Sequence, residues 1–340
     1  MNGVSEGNIH CALGASRHGR ADFAGALEEF DKAIEVNAEC AEAWNNRGAT
    51  RHRMGHLGGA LADINRALEL NPLYAEAYNN RGIVRQVMGD LVGALADYHR
   101  AVEIRPRYAE ALTSRAALRQ SSGDLLGALA DFDRAIGIRS DYAEAYLGRA
   151  DALHAWGDLE AAIADYDRVL QLIPRQAAAP VHHLRAGVRF SQRRFAEVLA
   201  DCNAALEIDP GLCMAYISRG NARYHLREAS ALADYRTAFQ MDRQAAAAEI
   251  IRFLAEDLRR NADEVFENCR KHIRISPDDA AAYARRGLSL ILQGKEAEAA
   301  PDFEAGSLRH PDWKEDLDFL IQTARAQRSS LIPGDNAVIK

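Results

Sequence analysis

The amino-acid sequence predicts an all-α solenoid of about nine helix-turn-helix repeats, closed by a capping helix. Three observations carry that prediction. The stretch "AEAWNNRG" at residues 41–48 returns as "AEAYNNRG" thirty-four residues later, at 75–82. Prolines at Pro72, Pro106, Pro174, Pro210, Pro277 and Pro311 recur near one place in the period, where a proline ends a helix. No segment alternates apolar and polar residues as a half-buried strand would.

Aligned on that stretch, repeats begin near Gly7, Ala41, Ala75, Ala109, Ala143, Ala179, Cys213, Ala246 and Ala280, an array over 7–311. Two extra residues fall at Ala177 and Ala178, and one residue is missing from the turn near Arg227. In the third repeat, Ala77, Tyr78, Gly82 and Val84 follow a helical period, and Ala94, Leu95, Tyr98, Ala101 and Val102 follow it again. Gly89 and Asp90 between them supply a turn and a helix start. Glycine recurs mid-helix at Gly48, Gly82, Gly220 and Gly287, at a cost of about 1 kcal/mol relative to alanine, so it implies close helix contact. The small residues Ala60, Ala94, Ala128 and Ala162 face those positions. The eighth repeat (Phe253, Val265, Cys269) is degenerate and is placed by its register. Beyond Pro311, Trp313, Leu317, Leu320 and Ile321 form one stripe, so 312–328 reads as the capping helix that an open stack requires. Residues 329–340 read as a tail.

The 340 residues are 48% hydrophobic and 27% charged, with net charge −7, an ordinary soluble composition. The acidic balance argues against a nucleic-acid partner. Five cysteines without a C-x-x-C pair read as reduced thiols in a cytoplasmic setting. No apolar run is long enough for a membrane span. No phosphate-binding glycine loop, metalloprotease motif, nucleophile elbow or kinase set is present, so no enzyme, cofactor or metal is expected. His18, His52 and His154 share one repeat position, two helices or more apart, which makes a poor metal set.

The pattern resembles the tetratricopeptide repeat family, on Tyr78, Gly82, Ala94, Tyr98, Ala101 and Pro106 in the third repeat and on matching positions over about residues 7–311. The resemblance implies a right-handed superhelix whose first helices line a concave groove. It implies that groove positions meet a peptide at Asn45, Asn46, His52, Arg53, Asn79, Asn80, Gln86, Thr113 and Gln120. A stacked Asn46–Asn80 pair offers donors and acceptors to an extended backbone. The lysines of the family's carboxylate clamp are absent from these positions.

Two further patterns stand out. Arginine recurs at Arg47, Arg81, Arg115, Arg149, Arg185, Arg219, Arg252 and Arg286, where the family usually has leucine. An acid recurs in the second helix at Asp63, Asp97, Asp131, Asp165, Asp201, Asp234 and Asp302. A buried arginine requires a partner, so a bridge within each repeat is predicted. In repeats six to nine the groove positions turn apolar, as an interaction strip of Phe190, Ile217, Tyr224, Leu254, Leu258, Leu288, Ile291 and Leu292. So large an apolar strip implies cover by a partner, by tighter coiling or by the tail through Leu331, Ile332, Val338 and Ile339. The expected function is a non-enzymatic scaffold binding a peptide or protein segment in the groove. The alternatives are a homo-oligomerising module and an accessory subunit of a catalytic complex.

Overall fold

The computed structural model describes residues 3–228 and 230–331. The chain divides into two compact halves, Met1–Leu172 and Ile173–Lys340. Both are all-α, with no strand among the described residues.

The N-terminal half is five helix pairs: α1 (Gly3–Gly19) with α2 (Phe23–Val36), α3 (Ala41–Arg53) with α4 (Leu57–Leu70), α5 (Ala75–Val87) with α6 (Leu91–Ile104), α7 (Ala109–Ser121) with α8 (Leu125–Ile138), and α9 (Ala143–Trp156) with α10 (Leu159–Leu172). The turns inside the second to fifth pairs pass through Gly55, Gly89, Gly123 and Gly157, at φ +80° to +96°, which glycine adopts without a Cβ clash. One residue later, Asp90 and Asp124 accept a hydrogen bond from the amides of Gly93 and Gly127 at 2.9 Å and so start α6 and α8. Each second helix packs on the next first helix, and successive first helices also touch one another. The first helices therefore line one continuous face.

Close approach explains the mid-helix glycines. A Cβ on Gly82 would lie 2.5 Å from the Tyr98 ring, and one on Gly48 would lie 2.6 Å from Ile64. The facing Ala60 and Ala94 are fully buried.

The C-terminal half opens with a 3-10 turn, Arg175–Ala177, which takes up the extra residues before Ala179. Then follow α11 (Ala179–Ser191), α12 (Phe195–Ile208), α13 (Cys213–His225), α14 (Ala231–Met241), α15 (Arg243–Ile275), α16 (Ala280–Leu292) and α17 (Glu296–Arg309). A second 3-10 turn, Pro311–Trp313, leads into α18 (Lys314–Leu331). The eighth repeat keeps its expected two helices, both within α15, but joins them at Asn261, with φ −164° and ψ 93°, instead of through a glycine turn. No glycine stands at this turn, so the chain bends through one extended residue whose Oδ1 accepts from the Glu264 amide at 3.2 Å. The capping helix begins at Lys314 and reaches Leu331, past the expected residue 328, and the first helix begins at Gly3 rather than Gly7. Residues 332–340, with the tail's Ile332, Val338 and Ile339, lie outside the described residues.

The predicted arginine–aspartate bridges are present. Arg81 donates to both carboxylate oxygens of Asp97 at 2.9 and 2.7 Å, and Arg115 to both of Asp131 at 2.7 and 2.6 Å. The same fork joins Arg47 to Asp63, Arg149 to Asp165 and Arg286 to Asp302. A second arginine, one helical turn on, reaches the same acid: Arg51, Arg85, Arg119, Arg189 and Arg223 each lie 2.7–2.9 Å from theirs. The column breaks where its sequence breaks. Buried Glu29 in the first pair is served by His10 at 2.6 Å and Lys32 at 3.1 Å, and Arg252 in α15 pairs with its helix neighbours Glu249 and Glu256.

The column does more than close each repeat. The third guanidinium nitrogen reaches back to the second helix of the preceding repeat, meeting Asp31 from Arg47 at 2.6 Å, Asn65 from Arg81 at 2.9 Å and His99 from Arg115 at 3.0 Å. Asp133 meets Arg149 at 2.6 Å, and Asn203 meets Arg219 at 2.8 Å. With their nitrogens so engaged, these arginines are structural bridges and not an open ladder for anions.

Candidate functional site

The polar row lies on the first helices of the N-terminal half. Asn45 and Asn79 are buried, Asn46, Asn80, His52, Gln86, Thr113 and Gln120 are half-buried, and Arg53 is exposed. Three amides join across two repeats. Asn80 donates to Asn45 Oδ1 at 3.0 Å, and Asn45 donates to Asn46 Oδ1 at 3.2 Å. Asn46 in turn donates to Cys11 Sγ at 3.9 Å; burial pushes that thiol up to about 12, so it stays protonated. Asn79 Oδ1, at the next position in register with Asn45, is buried without a hydrogen-bond partner. A buried carbonyl oxygen left unpaired is costly.

The other candidates do not all join this row. Gln86 accepts from the Tyr98 hydroxyl at 2.8 Å, so it holds a core tyrosine. At the N-terminal end, His18 Nδ1 lies 2.9 Å from Thr50 Oγ1, and the Arg53 guanidinium sits 5.8 Å from the Phe23 ring. Burial first and the Arg53 charge second hold His18 and His52 below the usual imidazole range, which keeps both neutral at pH 7.

One part of this face was not read from the sequence. Tyr74, Tyr108 and Tyr142 stand at the N-caps of α5, α7 and α9. Glu42, Glu76, Glu110 and Glu144 flank them in the first turns of the helices. Burial first, then the neighbouring glutamates, push each phenol above its usual range, so the tyrosines remain neutral donors. Arg105 and Arg139 hold Glu76 and Glu110 at 2.5 and 2.7 Å. The signal was available: a tyrosine precedes "AEA" at 74, 108 and 142.

In the C-terminal half the corresponding positions are closed. Phe190, Ile217, Tyr224, Leu254, Leu258, Leu288, Ile291 and Leu292 are all at most 7% exposed. Most of them share one core with Trp313, Leu317 and Leu320 from the capping segment. The strip is therefore core in this chain and not an open docking face. Its cover comes from the described residues, α18 and its preceding turn among them, because α18 packs on both α15 and α16.

Family models for the tetratricopeptide repeat match residues 41–74 and 113–180. No curated protein matches the chain. Among solved structures, the chain is similar to PilF of Pseudomonas aeruginosa, with 15% identity and TM-score 0.57 over 63% of this chain and 97% of that one. It is similar to PilW, described as a widely conserved type IV pilus biogenesis factor, with 16% identity and TM-score 0.55 over 60% and 94%. A tetratricopeptide repeat protein from Parabacteroides merdae matches with 21% identity and TM-score 0.52 over 70% and 94%. At these identities the likeness is one of fold. No described helix is long and apolar enough to cross a membrane.

Proposed function

Because this chain belongs to the tetratricopeptide repeat family, we propose that it is a non-enzymatic scaffold that holds an extended peptide along the first helices of its N-terminal half. The observation that carries this reading is the row Asn46–Asn45–Asn80, with the unpaired oxygen of Asn79 beside it. Amides offer a donor and an acceptor each, so a row of them suits a peptide backbone irrespective of its side chains. The neutral tyrosines and the glutamates beside the row would then grade one sequence against another.

The alternative of self-assembly drew its support from an open apolar strip, and the burial of that strip removes the support.

A displayed peptide library selected on the purified chain supplies the probe. The affinity of a selected peptide is then measured for Asn46→Ala/Asn80→Ala by fluorescence polarisation. The expected loss is about tenfold or more, from two hydrogen bonds of about 1 kcal/mol each, with helicity retained and the melting temperature lowered only modestly, because buried Asn45 loses both its amide partners. Equal affinity in the double variant would reject the groove.

A further inference from the structure

A second site lies within the C-terminal half, where two cavities of about 30 and 110 Å3 share the walls Arg193, Tyr224, His225, Glu264 and Asn268. Arg193 and Arg227 come from the turns after α11 and α13, and Arg260 stands just before the bend in α15. Both turn arginines hold φ +61°, in places where the turns at Gly55, Gly89, Gly123, Gly157 and Gly294 use glycine. A residue with a Cβ is strained there. Ala21 shares the conformation in the first pair, so the turn requires no charge. Two strained arginines that line one pocket therefore call for a reason outside the turn.

The floor of the pocket is buried and polar. Arg285, 9% exposed, pairs with Asp257 and lies 4.3 Å over the Tyr224 ring. His225 stacks on Phe195 with ring centres 4.3 Å apart, and its Nε2 lies 3.3 Å from Asp257 without a well-aligned hydrogen bond. His272, 1% exposed, has its Nε2 3.0 Å from the buried Asp279 carboxylate, likewise without an aligned hydrogen bond at either ring nitrogen.

The charges do not balance. Arg193, Arg227, Arg260 and Arg285 line the two cavities, against the carboxylates of Asp257 and Glu264 only. Asp257 is engaged by Arg285 and Glu264 by Arg193. Each cavity so keeps one arginine beyond these pairs, exposed Arg227 at the larger and exposed Arg260 at the smaller, in a chain of net charge −7. A phosphate monoester carries roughly −1.5 to −2 at neutral pH, and the guanidinium fork matches its oxygens.

We propose that these adjoining cavities bind a phosphate group, free or as a monoester, between Arg227 on the larger and Arg260 on the smaller, with the shared Asn268 amide and the buried polar floor beside them. The site is independent of the peptide groove in the other half.

Titration calorimetry on the full chain tests it, with inorganic phosphate as probe and chloride at matched ionic strength as control. Arg227→Gly restores the residue that suits the turn, so it should melt at the same or a higher temperature while binding phosphate about tenfold more weakly. Arg260→Gln, remote from the strained turns, should weaken phosphate as well. O-phospho-L-serine distinguishes the sources: binding of both probes supports a monoester on a partner, and binding of phosphate alone supports the free ion. Absence of phosphate binding above the chloride control, or equal binding in wild type and both variants, overturns the proposal.

Discussion

The first helices of the two halves follow the same repeat and present their inner positions to different surroundings. In the N-terminal half those positions are amides and hydroxyls joined in a half-buried row. In the C-terminal half they are aliphatic and aromatic, and they are sealed inside a core that includes Trp313 and Leu317. The difference teaches that the thirty-four-residue period decides where a side chain is placed, while residue chemistry decides whether the row stays open or is covered. An apolar row gains about 25 cal/mol for each Å2 removed from water, and the capping segment supplies the cover. A polar row gains nothing comparable and stays partly exposed.

The sharpest way to break this comparison is Leu258→Asp, which places a carboxylate where 6% of the side chain is exposed. We expect a loss of about 4 kcal/mol from lost packing and an unpaired buried charge. The loss should fall on the C-terminal half, read by the fluorescence of the buried Trp313 alongside circular dichroism. A melting curve like that of the wild type would mean that the strip is open.

Asp131→Ala tests what both halves share. It strips the acid from Arg115, whose side chain is 8% exposed, and from Arg119. A destabilisation of about 3 kcal/mol in urea is expected, because buried Arg115 loses its carboxylate and Arg119 keeps only that of Asp124, at 3.6 Å. A change below about 0.5 kcal/mol, typical of surface sites, would remove the bridges from the account of stability.

A smaller effect belongs to Gly82→Ala. Helix propensity favours alanine by about 1 kcal/mol, yet the added methyl would meet Tyr98 at 2.5 Å, and overpacking costs about 1–3 kcal/mol. The net expectation is a loss of about 1 kcal/mol, and any gain would show that the ring yields.

The smallest effect is a pH dependence. Burial, ahead of the opposed influences of Asp257 and Arg285, holds His225 below its usual 6.5. Burial does the same to His183. The unfolded chain therefore takes up protons that the folded chain refuses, so stability is full above about 6.5 and falls as pH drops below it. His225→Phe should flatten part of that fall, measured as melting temperature against pH. A profile identical to that of the wild type would remove His225 from the explanation.

Much of the fold was legible because a solenoid writes its geometry once and repeats it. The mid-helix glycines, the proline stops and the arginine–aspartate columns each recur at one register, and a recurrent oddity needs a physical reason. The bend at Asn261 was less legible, because its sign is a glycine that is missing from an already degenerate repeat. The polar groove was half legible. Asn45, Asn46 and Asn80 do meet, but Gln86 is spent on Tyr98, a partner set by packing across the pair. The phosphate pocket was illegible as a constellation, since Arg193, Arg227 and Arg260 are far apart in sequence. Only their places, two in turns that elsewhere use glycine, gave a sign.

The backward reach of the arginines has a consequence for how such a chain can change length. Arg81 finds Asn65 and Arg115 finds His99, each sixteen residues upstream. Excising residues 75–108 would bring Arg115 to the register of Arg81, with Asn65 at the distance His99 held before. The joint would meet an acceptor already shown to fit, because the rungs at Arg47, Arg81, Arg115 and Arg149 are addressed by offset and not by identity. These N-terminal repeats thus behave as a modular rail, in which a whole repeat can be taken out in phase, while a cut out of phase with the period leaves a guanidinium unmatched.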